Sequence, residues 1–526
     1  MSPQKPHKTR YLALKYIGLL LTGIFSVWWF NPHRIAHNFS GDWHVLDFAV
    51  FALLTYVVWQ QIVGQLLMWS IATRIGEPFK REPEPGLKVA FITTFVPSCE
   101  PIQLLHNILP AMKAADYTHD VWLLDEGNDP AAKAICEQYD VFYFSRKDID
   151  KYNTKGGTFA AKTKGGNHNA WYDYFGHAYD IVAQIDTDFI PNRNFLTATL
   201  GFFRDPEIGF VGTPQVYGNT KHSLVARGAA QQTYSFYGPM MRGLQGMEMT
   251  LMIGANHIVR VAALKEIGLY AGHLTEDMLT GMTLHAKKWK SVYVPETLAV
   301  GEGPATWADY FNQQMRWAFG CMDILMRHTP GLMRKLNRRQ AWHYLVLQQH
   351  YFSGLAMGLG LFLLSLYCFF GITPAAMELS NMLAAYLPLL IWQYVLSRWL
   401  QQFFIDPKHE SGMHLSGGII SVASWPIYFM ALVGVLRGKR LVFKVTPKGN
   451  KSVNYTPPHI FTPHIAMGTV AAADIAAAAL WHHNSVFMLF WAVTTMISLY
   501  GLVFSVLIPQ FFRSRKTVPM NTELAG

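Results

Sequence analysis

Long apolar segments at both ends of the chain constrain its fold more than any other sequence feature. A helix that crosses a bilayer needs about 20 apolar residues. Six segments reach this length, at residues 11–30, 45–71, 345–370, 382–400, 465–481 and 486–508. Because 51% of the 526 residues are hydrophobic and only 15% are charged, we predict a multi-span membrane protein that also contains one large soluble domain.

The first segment, 11–30, follows basic residues and in this respect is similar to a secretory signal peptide. It is longer than the apolar core of a signal peptide and lacks a small-residue cleavage site. We therefore expect it to be retained as a membrane span.

A seventh apolar segment, at residues 415–436, differs from the other six in the charge of its flanks. Basic residues lie before it at Arg398 and Lys408 and cluster after it at 437–440. The positive-inside rule places both flanks in the cytoplasm. We predict a helix that lies in the membrane interface or re-enters the membrane, with a break at Pro426.

Six spans return both basic termini to the cytoplasm and place the soluble region there as well. We therefore predict a multi-pass protein of the cell membrane (inner or plasma membrane) with a cytoplasmic catalytic domain. The expected parts are a transmembrane pair, the cytoplasmic domain, a second transmembrane pair, an interfacial helix with a loop, and a third transmembrane pair with a short basic tail. In this order they cover residues 1–75, 76–340, 341–405, 406–463 and 464–526.

The net charge of +10 raises the question of a nucleic-acid partner. The basic residues form no long run and gather beside apolar segments, as at 437–440 and 513–516. This pattern indicates a lipid bilayer with anionic headgroups as the partner, and no nucleic acid. The four cysteines lack the spacing of a metal or redox site, so we expect reduced, structural thiols.

Short apolar runs alternate with a helical pattern inside the region 76–340. Strands are expected at 87–93, 121–124, 141–144 and 181–185, and a helix at 129–138. This alternation predicts an α/β fold of βαβ units with a mostly parallel sheet. Ligands bind such sheets at the carboxyl ends of the strands, where Thr94 and Asp125 stand.

Asp186 and Asp188 end another apolar strand and supply carboxylate oxygens of the kind that Mg²⁺ or Mn²⁺ prefers. A divalent cation held there would neutralise the charge that develops on a departing diphosphate. Asp-x-Asp is a common pattern, but the apolar strand before it and Pro191 after it favour a metal site.

Two positions offer contacts to a nucleotide. Asp125 can accept a hydrogen bond from the imide nitrogen of uracil, although a strand-end aspartate before Gly127 is also a common turn former. Lys164 opens a glycine-rich helical segment and can reach a phosphate. The alternative for Lys164 is a glycine-rich turn with a solvated lysine.

Asp277 is the candidate general base. It follows Glu276 at the start of an amphipathic helix, where a carboxylate that projects into a cleft can deprotonate an acceptor hydroxyl. A capping acid that complements the helix dipole would have the same sequence pattern.

A second amphipathic helix is expected at residues 307–321, and Gln313, Arg316 and Trp317 fit its apolar face poorly. An indole can stack on a pyranose ring, while glutamine and arginine can hold hydroxyls or a diphosphate. This group therefore predicts an acceptor site.

The segment 443–448, Phe-Lys-Val-Thr-Pro-Lys, follows the interfacial helix and precedes glycine and polar residues. We expect a mobile cytoplasmic loop here. Thr446 and Lys448 can close over a bound nucleotide.

These motifs, in this order, resemble processive membrane glycosyltransferases of family 2, and most closely the cellulose synthase group. Six elements carry the resemblance between about residues 87 and 450: Asp125-Glu-Gly127, Lys164-Gly-Gly-Asn167, Asp186-Thr-Asp188, Thr275-Glu-Asp277, 313–317 and 443–448. The resemblance implies a GT-A nucleotide-diphospho-sugar transferase domain inserted in an α-helical membrane domain.

The resemblance also implies residue roles. Asp277 is the expected catalytic base, and Asp186 and Asp188 are the expected ligands of Mg²⁺ or Mn²⁺. The residues expected to bind substrate are Thr94, Glu100, Asp125, Lys164, Asp186, Glu276, Gln313, Arg316, Trp317, Phe443, Val445, Thr446 and Lys448.

The activity implied is that of a UDP-sugar-dependent hexosyltransferase that polymerises glucose from UDP-glucose, with inversion, into a cellulose-like β-glucan and exports it through its spans. The implied partners are UDP-glucose, the growing polysaccharide, the bilayer and an accessory secretion subunit. Three departures from the family pattern are Glu126 in place of aspartate, Gln314 in place of arginine, and a longer turn at 95–100. A hyaluronan-, chitin- or curdlan-type synthase and a non-processive lipid glycosyltransferase therefore stay open as alternatives.

Overall fold

A mixed sheet in the middle of the chain and long apolar helices on either side of it make up the structure, a computed structural model that describes residues 6–32, 44–72, 74–372, 379–439, 441 and 456–516. The strands are β1 (Val89–Phe95), β2 (Asp120–Asp125), β3 (Phe142–Phe144), β4 (Ile181–Asp186), β5 (Ile190–Pro191), β6 (Ile208–Gly212), β7 (Val216–Tyr217), β8 (Asn256–Arg260), β9 (Lys290–Tyr293) and β10 (Ala299–Gly301).

The α-helices fall into two sets, those packed on the sheets and those of the apolar segments. In chain order they are α1 (Pro6–Trp29), α2 (His44–Ala72), α3 (Gln103–Lys113), α4 (Pro130–Gln138), α5 (Lys164–Tyr174), α6 (Thr197–Leu200), α7 (Leu224–Ser235), α8 (Met241–Gln245), α9 (Val261–Glu266), α10 (Glu276–Ala286), α11 (Trp307–Asp323), α12 (Thr329–Met333), α13 (Arg338–Gln348), α14 (Ser353–Phe370), α15 (Leu379–Leu400), α16 (Pro407–Glu410), α17 (Leu415–Leu436), α18 (Thr462–Leu480) and α19 (Val486–Lys516).

The central sheet has seven strands in the order β3-β2-β1-β4-β8-β6-β9. The first four run parallel to one another, whereas β8 runs antiparallel to both β4 and β6. The four predicted strands and the predicted helix at 129–138 are all present, and Asp129 caps that helix by accepting a hydrogen bond from the backbone N–H of Ala131 at 2.8 Å. The predicted α/β class is therefore confirmed.

The register of β1 brings the predicted polar residues to one edge of the sheet. Thr94 lies opposite Asp186 of β4, and Phe95 lies opposite Asp125 of β2. Since the parallel strands all end at this edge, it is the edge at which a ligand would bind.

A smaller sheet, in the order β5-β10-β7, borders the same edge. Gly301 of β10 pairs with Tyr217 of β7, and a Cβ atom at Gly301 would collide with the ring of Phe189. Only glycine lacks that atom. The close approach fixes the segment that follows Asp188 beside Tyr217.

Six of the described helices are long and apolar enough to cross a membrane. They cover Leu12–Trp29, Arg338–Phe370, Leu379–Phe403, Leu415–Leu436, Pro458–Leu480 and Val486–Gln510. The predicted span at 45–71 lies in the 29-residue helix α2, in which Val45–Gln60 is apolar. All six predicted spans are thus helical, and the chain is a multi-pass membrane protein.

The predicted break at Pro426 is wrong. Helix α17 continues from Leu415 to Leu436 with Pro426 buried inside it. A proline removes one main-chain donor from a helix, but here α17 packs against α7, α11 and α14, and these contacts stabilise the continuous helix. Whether α17 lies in the interface or spans the membrane stays a prediction.

Helix α17 joins the sheet domain to the apolar helices through close contacts at glycines. A Cβ atom at Gly228 of α7 would lie 2.8 Å from the carbonyl oxygen of Ser416, and one at Gly354 of α14 would lie 2.5 Å from the backbone nitrogen of Phe429. Ile420 of α17 belongs to the same buried apolar cluster as residues of β1 and β4. The core of the sheet domain therefore continues into α17.

Candidate active site

A cavity of about 1910 Å³ opens at the carboxyl edge of the central sheet. It is lined by ten of the residues proposed from the sequence, namely Thr94, Glu100, Lys164, Asp186, Asp188, Glu276, Asp277, Gln313, Arg316 and Trp317. Phe443, Val445, Thr446 and Lys448 lie outside the described residues. The structure thus brings residues that are far apart in sequence to a single site.

The acidic pair at the end of β4 is held by its neighbours. The ammonium group of Lys164, at the start of α5, contacts Oδ1 of Asp186 and donates a hydrogen bond to the carbonyl oxygen of Gly254 at 2.6 Å. Lys164 is therefore not a solvated lysine. Asp188 is only 9% exposed and lines the same cavity.

The chemistry of this pair fits a divalent cation. Asp186 and Asp188 offer carboxylate oxygens to one cavity, and Mg²⁺ and Mn²⁺ favour such hard oxygen ligands. Lys164 supplies the positive charge that balances Asp186 in the structure. The same lysine lines the cavity beside the pair.

Glu100 closes the turn after β1. Its two carboxylate oxygens accept hydrogen bonds from the backbone N–H of Val96 at 2.8 Å and from the hydroxyl of Thr187 at 2.7 Å. Thr187 stands between the two aspartates of the acidic pair. Glu100 therefore ties the β1 turn to the acidic pair.

The predicted contact between Asp125 and a nucleotide base is not supported by its surroundings. The side chain is fully buried and does not line the cavity. Its oxygens accept hydrogen bonds from the backbone N–H groups of Gly127 at 2.7 Å and Asp129 at 2.5 Å, and from the hydroxyl of Tyr143 at 2.7 Å. Asp125 thus stabilises the turn at the end of β2, and its contact to a nucleotide base stays a prediction.

Glu126, which follows Asp125, lines the cavity and pairs with a buried arginine. Arg146 is fully buried, and its guanidinium group donates to both carboxylate oxygens of Glu126 at 3.0 and 2.8 Å. It also donates to the carbonyl oxygens of Tyr152 and Thr163. This bidentate pair connects the end of β2 to the segment that leads into Lys164.

Sequence reasoning missed Arg146, because a single arginine after a short strand carries no motif. The signal that could have found it was Glu126, the departure from the family pattern. The backbone N–H of Lys162 also donates to Glu126, at 3.0 Å. Gly166 lies in the same group of close contacts, since a Cβ atom there would collide with the carbonyl oxygen of Ala160.

Glu276 and Asp277 lie in the first turn of α10 and face the cavity. Burial, reinforced by the negative charge of Asp277, raises the pKa of Glu276 to about 7. Burial also raises the pKa of Asp277, while its hydrogen bond from the N–H of Met278 and the charge of Lys164 act in the opposite direction. Burial therefore disfavours the ionised form of both adjacent carboxyl groups, and ionisation of one opposes ionisation of the other.

The carboxylate of Asp277 lies against Gly254. A Cβ atom at Gly254 would stand 2.8 Å from Oδ2 of Asp277. Because Asp277 lies at a helix N-terminus and also faces the cavity, both interpretations of its position apply, helix complement and candidate base.

Helix α11 places Gln313, Arg316 and Trp317 on the cavity wall. Burial lowers the pKa of Arg316, while the charges of Glu276, Asp186 and Asp277 raise it. Arg316 is thus a counter-charge to all three carboxylates.

Gln314, the other departure in this motif, also lines the cavity and is 5% exposed. It accepts a hydrogen bond from the hydroxyl of Tyr428 in α17 at 2.7 Å. A glutamine here therefore holds α11 to α17.

The cavity extends from the acidic pair towards the apolar helices. Residues of α2, α14 and α17 line it, together with the turn that precedes α14, and they include Gln60, Gly64, Gln349, His350, Tyr351, Ser353, Met357, Val422, Trp425 and Tyr428. Sequence reasoning missed them all. The signal that was available is polarity, since Gln60 and Ser353 stand in otherwise apolar helices.

A second group of potential metal ligands lies outside the cavity, behind the N-terminus of α10. His273, Asp323 and His328 offer ligand atoms that all lie within 4.8 Å of one another. The nitrogen Nε2 of His273 stands 3.1 Å from Oδ2 of Asp323. The arginine Arg327 approaches Oδ1 of the same aspartate at 3.0 Å.

Part of the chain is similar to a known family of proteins. Residues 181–436 match the model described as Glycosyl transferase family group 2. The chain is 26% identical over 382 residues to the UDP-forming cellulose synthase catalytic subunit of Pseudomonas fluorescens. The matched region covers 70% of this chain and 48% of that protein. It is 25% identical over 357 residues to the corresponding subunit of Xanthomonas axonopodis, with coverages of 66% and 46%. The chain spans about half the length of these curated relatives.

Two solved structures are also similar. A mannosyltransferase from Pyrobaculum calidifontis in complex with GDP-Man and Mn²⁺ has 15% identity and a TM-score of 0.48, covering 74% of this chain and 100% of that one. Glucosyl-3-phosphoglycerate synthase from Mycobacterium tuberculosis, in complex with Mn²⁺, UDP-glucose and phosphoglyceric acid, has 13% identity and a TM-score of 0.32, with coverages of 44% and 78%. The family match and the mixed sheet confirm the predicted GT-A class and the resemblance to cellulose synthases.

Proposed function

We propose that this family 2 membrane glycosyltransferase, which is similar to cellulose synthase catalytic subunits, polymerises glucose from UDP-glucose into a β-glucan and moves the product through its own spans. The observation that carries this proposal is the extent of the cavity. It joins Asp277 and the acidic pair to Ser353 of α14 and Trp425 of α17. A non-processive enzyme has no need for such a path.

Asp277 is the proposed catalytic base. It removes the proton from the acceptor hydroxyl, which then attacks the anomeric carbon in line with the departing UDP and inverts its configuration. The raised pKa of Asp277 makes it a stronger base than an ordinary aspartate. The negative charge of Asp277 in turn raises the pKa of Glu276, so the two carboxyl groups titrate as a coupled pair.

The donor diphosphate is proposed to lie against the acidic pair and the two positively charged side chains of the site. Asp186 and Asp188 would hold Mg²⁺ or Mn²⁺, and a bound divalent cation neutralises charge that develops on the leaving UDP. Lys164, which contacts Asp186, and Arg316 supply positive charge beside this pair. Thr94, Glu100 and Glu126 complete the nucleotide side of the wall.

Trp317 is proposed to hold the terminal sugar of the acceptor. Its indole ring lines the cavity next to Gln313 and Arg316, and an aromatic face suits the apolar face of a pyranose. Further along, Tyr351, Trp425 and Met357 continue an aromatic and apolar lining that suits a glucan in transit. Each added glucose would displace the previous one by one unit along this path.

The remaining parts of the proposal concern placement and partners. The catalytic domain faces the cytoplasm, where nucleotide sugars are made, and the loop with Phe443, Val445, Thr446 and Lys448 closes over the bound donor. An accessory secretion subunit would receive the polymer on the far side.

A radiolabel assay tests the proposal. Membranes that contain the protein are incubated with labelled UDP-glucose and Mg²⁺, and the product is separated by solvent extraction and by size. High-mass, solvent-insoluble product that a β-glucanase degrades is expected. A solvent-extractable product would instead indicate a lipid glycosyltransferase, and incorporation only from UDP-N-acetylglucosamine would indicate a chitin-type or hyaluronan-type donor. Turnover equal to that of membranes without the protein would reject transferase activity.

Linkage-specific digestion assigns the product. Release of label by an enzyme specific for β-1,4 linkages indicates a cellulose-like chain, whereas release only by a β-1,3 glucanase indicates a curdlan-type chain.

A further inference from the structure

Three contacts join the start of α10, which carries Asp277, to the end of α11, which carries Trp317, and the one between His273 and Asp323 lies outside the cavity. His273 is hydrogen bonded to Asp323. Thr275 packs on Gly320, where a Cβ atom would lie 2.6 Å from both the hydroxyl and the methyl group of Thr275. Further along α10, the thiol of Cys321 stands 3.8 Å from the sulfur of Met278.

The hydrogen bonds of His273 define its tautomer. The backbone N–H of Thr275 donates to Nδ1 of His273 at 3.1 Å, so Nδ1 is an acceptor and carries no proton. The proton of the neutral ring is therefore on Nε2, which faces Oδ2 of Asp323 at 3.1 Å. His273 accepts from the α10 side and donates to the α11 side.

The same hydrogen bonds disfavour a metal ion at His273, Asp323 and His328. A histidine that binds a metal through one nitrogen donates a proton from the other, to a carboxylate or a carbonyl oxygen. Here the second nitrogen, Nδ1, already accepts from a backbone N–H. In addition, Arg327 places a positive charge 3.0 Å from Oδ1 of Asp323. Metal binding would require both arrangements to change.

The end of α11 is built to present Asp323 and His328 to the loop before α10. A single π-helical turn, Ile324–His328, follows α11 directly. Such turns re-aim side chains and are frequent at functional sites. The ring of His328 packs edge to face on His273 with 5.5 Å between ring centroids. His273 and Asp323 are each only 10% exposed.

We propose that His273 and Asp323 form a positioning pair that fixes the carboxylate of Asp277 relative to the indole of Trp317. The inference rests on the proposed function, because it assigns the pair to the distance between base and acceptor sugar. Neither residue lines the cavity, so the pair acts through α10 and α11 and not on substrate. A small misplacement of a reacting group lowers the rate of the chemical step far more than it lowers affinity.

Two substitutions at His273 separate its two hydrogen bonds. His273→Gln places an amide donor near the position of Nε2 and keeps the bond to Asp323. His273→Asn places a carbonyl oxygen near Nδ1 and keeps the bond from Thr275 but cannot reach Asp323. The exposed residue His177 provides a matched control, His177→Asn.

The expected result is a split between turnover and binding. At saturating UDP-glucose, His273→Asn should lower kcat by about 10-fold to 100-fold, while UDP binding and thermal stability stay close to those of the Gln variant. His273→Gln and His177→Asn should retain most of the wild-type kcat. Asp323→Ala should reproduce the Asn variant, and the double variant should be no slower than either single one.

Several outcomes would overturn the pair. They are a wild-type kcat in His273→Asn, an equal loss of kcat in the Gln variant, or one bound zinc ion per chain that His328→Ala removes. A wild-type protein without glucose transfer would instead contradict the proposed function, which separates the two failures.

Discussion

Asp277 experiences two opposing influences on its charge. Burial favours the neutral carboxyl, whereas the N–H of Met278 and the positive charges of Lys164 and Arg316 favour the carboxylate. The balance leaves its pKa above that of an ordinary aspartate, as a base that works near neutral pH requires. The pKa of Asp277 is therefore determined by its surroundings as well as by the carboxyl group itself.

Replacement of this carboxylate tests its role directly. Asp277→Asn should lower the rate of glucose transfer by about 100- to 10,000-fold, because an amide cannot accept the proton of the acceptor hydroxyl. Binding of UDP, measured by calorimetry, should change little. The control is Asp173→Asn, which breaks an exposed pair with Lys151 and should leave transfer unchanged. Elongation by Asp277→Asn at the native rate would contradict the assignment.

The pH dependence follows from the two raised pKa values. A base acts in its ionised form, so the rate is lost as the pH falls through the pKa of the folded protein. Since the pKa of Glu276 is raised to about 7 and that of Asp277 is raised as well, the adjacent groups titrate as a pair. We expect kcat/KM to fall between about pH 8 and about pH 6, where ordinary carboxylates stay ionised.

Substitution of Glu276 tests this pH dependence. Glu276→Gln removes a negative charge beside Asp277, so it should shift the acid limb of the pH profile to lower pH. A profile that is flat in the wild type down to about pH 5 would show that neither carboxyl governs transfer.

At the residue level, the motifs pointed to positions that the structure brings together, while the roles of these residues stay predictions. Asp186, Asp277 and Trp317 were placed in one cavity because strand ends and helix faces converge there. Asp125 was expected to face a base, and in the structure its side chain accepts two hydrogen bonds from its own turn and one from Tyr143 of β3. Arg146 was missed because a long-range partner leaves no local pattern.

At the scale of elements, α17 shows how packing overrides local preference. Pro426 argued for a broken helix, yet α17 packs against five other α-helices and continues through the proline. Strand positions were easier to predict, because alternating apolar runs and turns define β1 to β4 without reference to the rest of the chain. The order of β8, β6 and β9 in the sheet could not be predicted, because these strands pair with segments that are distant in the sequence.

The contact between α7 and α17 predicts a stability effect. Gly228→Ala would place a methyl group 2.8 Å from the carbonyl oxygen of Ser416, so we expect a loss of about 1–3 kcal/mol. Thermal unfolding of the detergent-solubilised protein measures it. Gly418→Ala in α17, where no atom lies within 4 Å of the added carbon, is the matched control and should be neutral or slightly stabilising. Equal midpoints for the two variants would contradict the close packing.

At the scale of the whole molecule, the sheet domain is not separable from the helices that follow it. Ile420, Ala423 and Ile427 of α17 belong to the core cluster that includes β1 and β4, and Tyr428 and Ala431 pack with Ala318 of α11. Removal of α17 would leave a large apolar surface on α7 and α11.

A truncation tests this dependence. A fragment of residues 76–340 should aggregate or bind detergent, as judged by size-exclusion chromatography with light scattering, whereas a fragment of 76–436 in detergent should be monodisperse. A soluble, monomeric 76–340 fragment would show that α17 is dispensable for the domain.

The wall of the cavity has a bearing on how the protein is made. Gln60 and Gly64 come from α2, near the beginning of the chain, whereas Trp425 and Tyr428 come from α17. A ribosome completes α2 long before it has translated α17. The carboxylates that are translated in between therefore lack part of the cavity wall until the late helix docks.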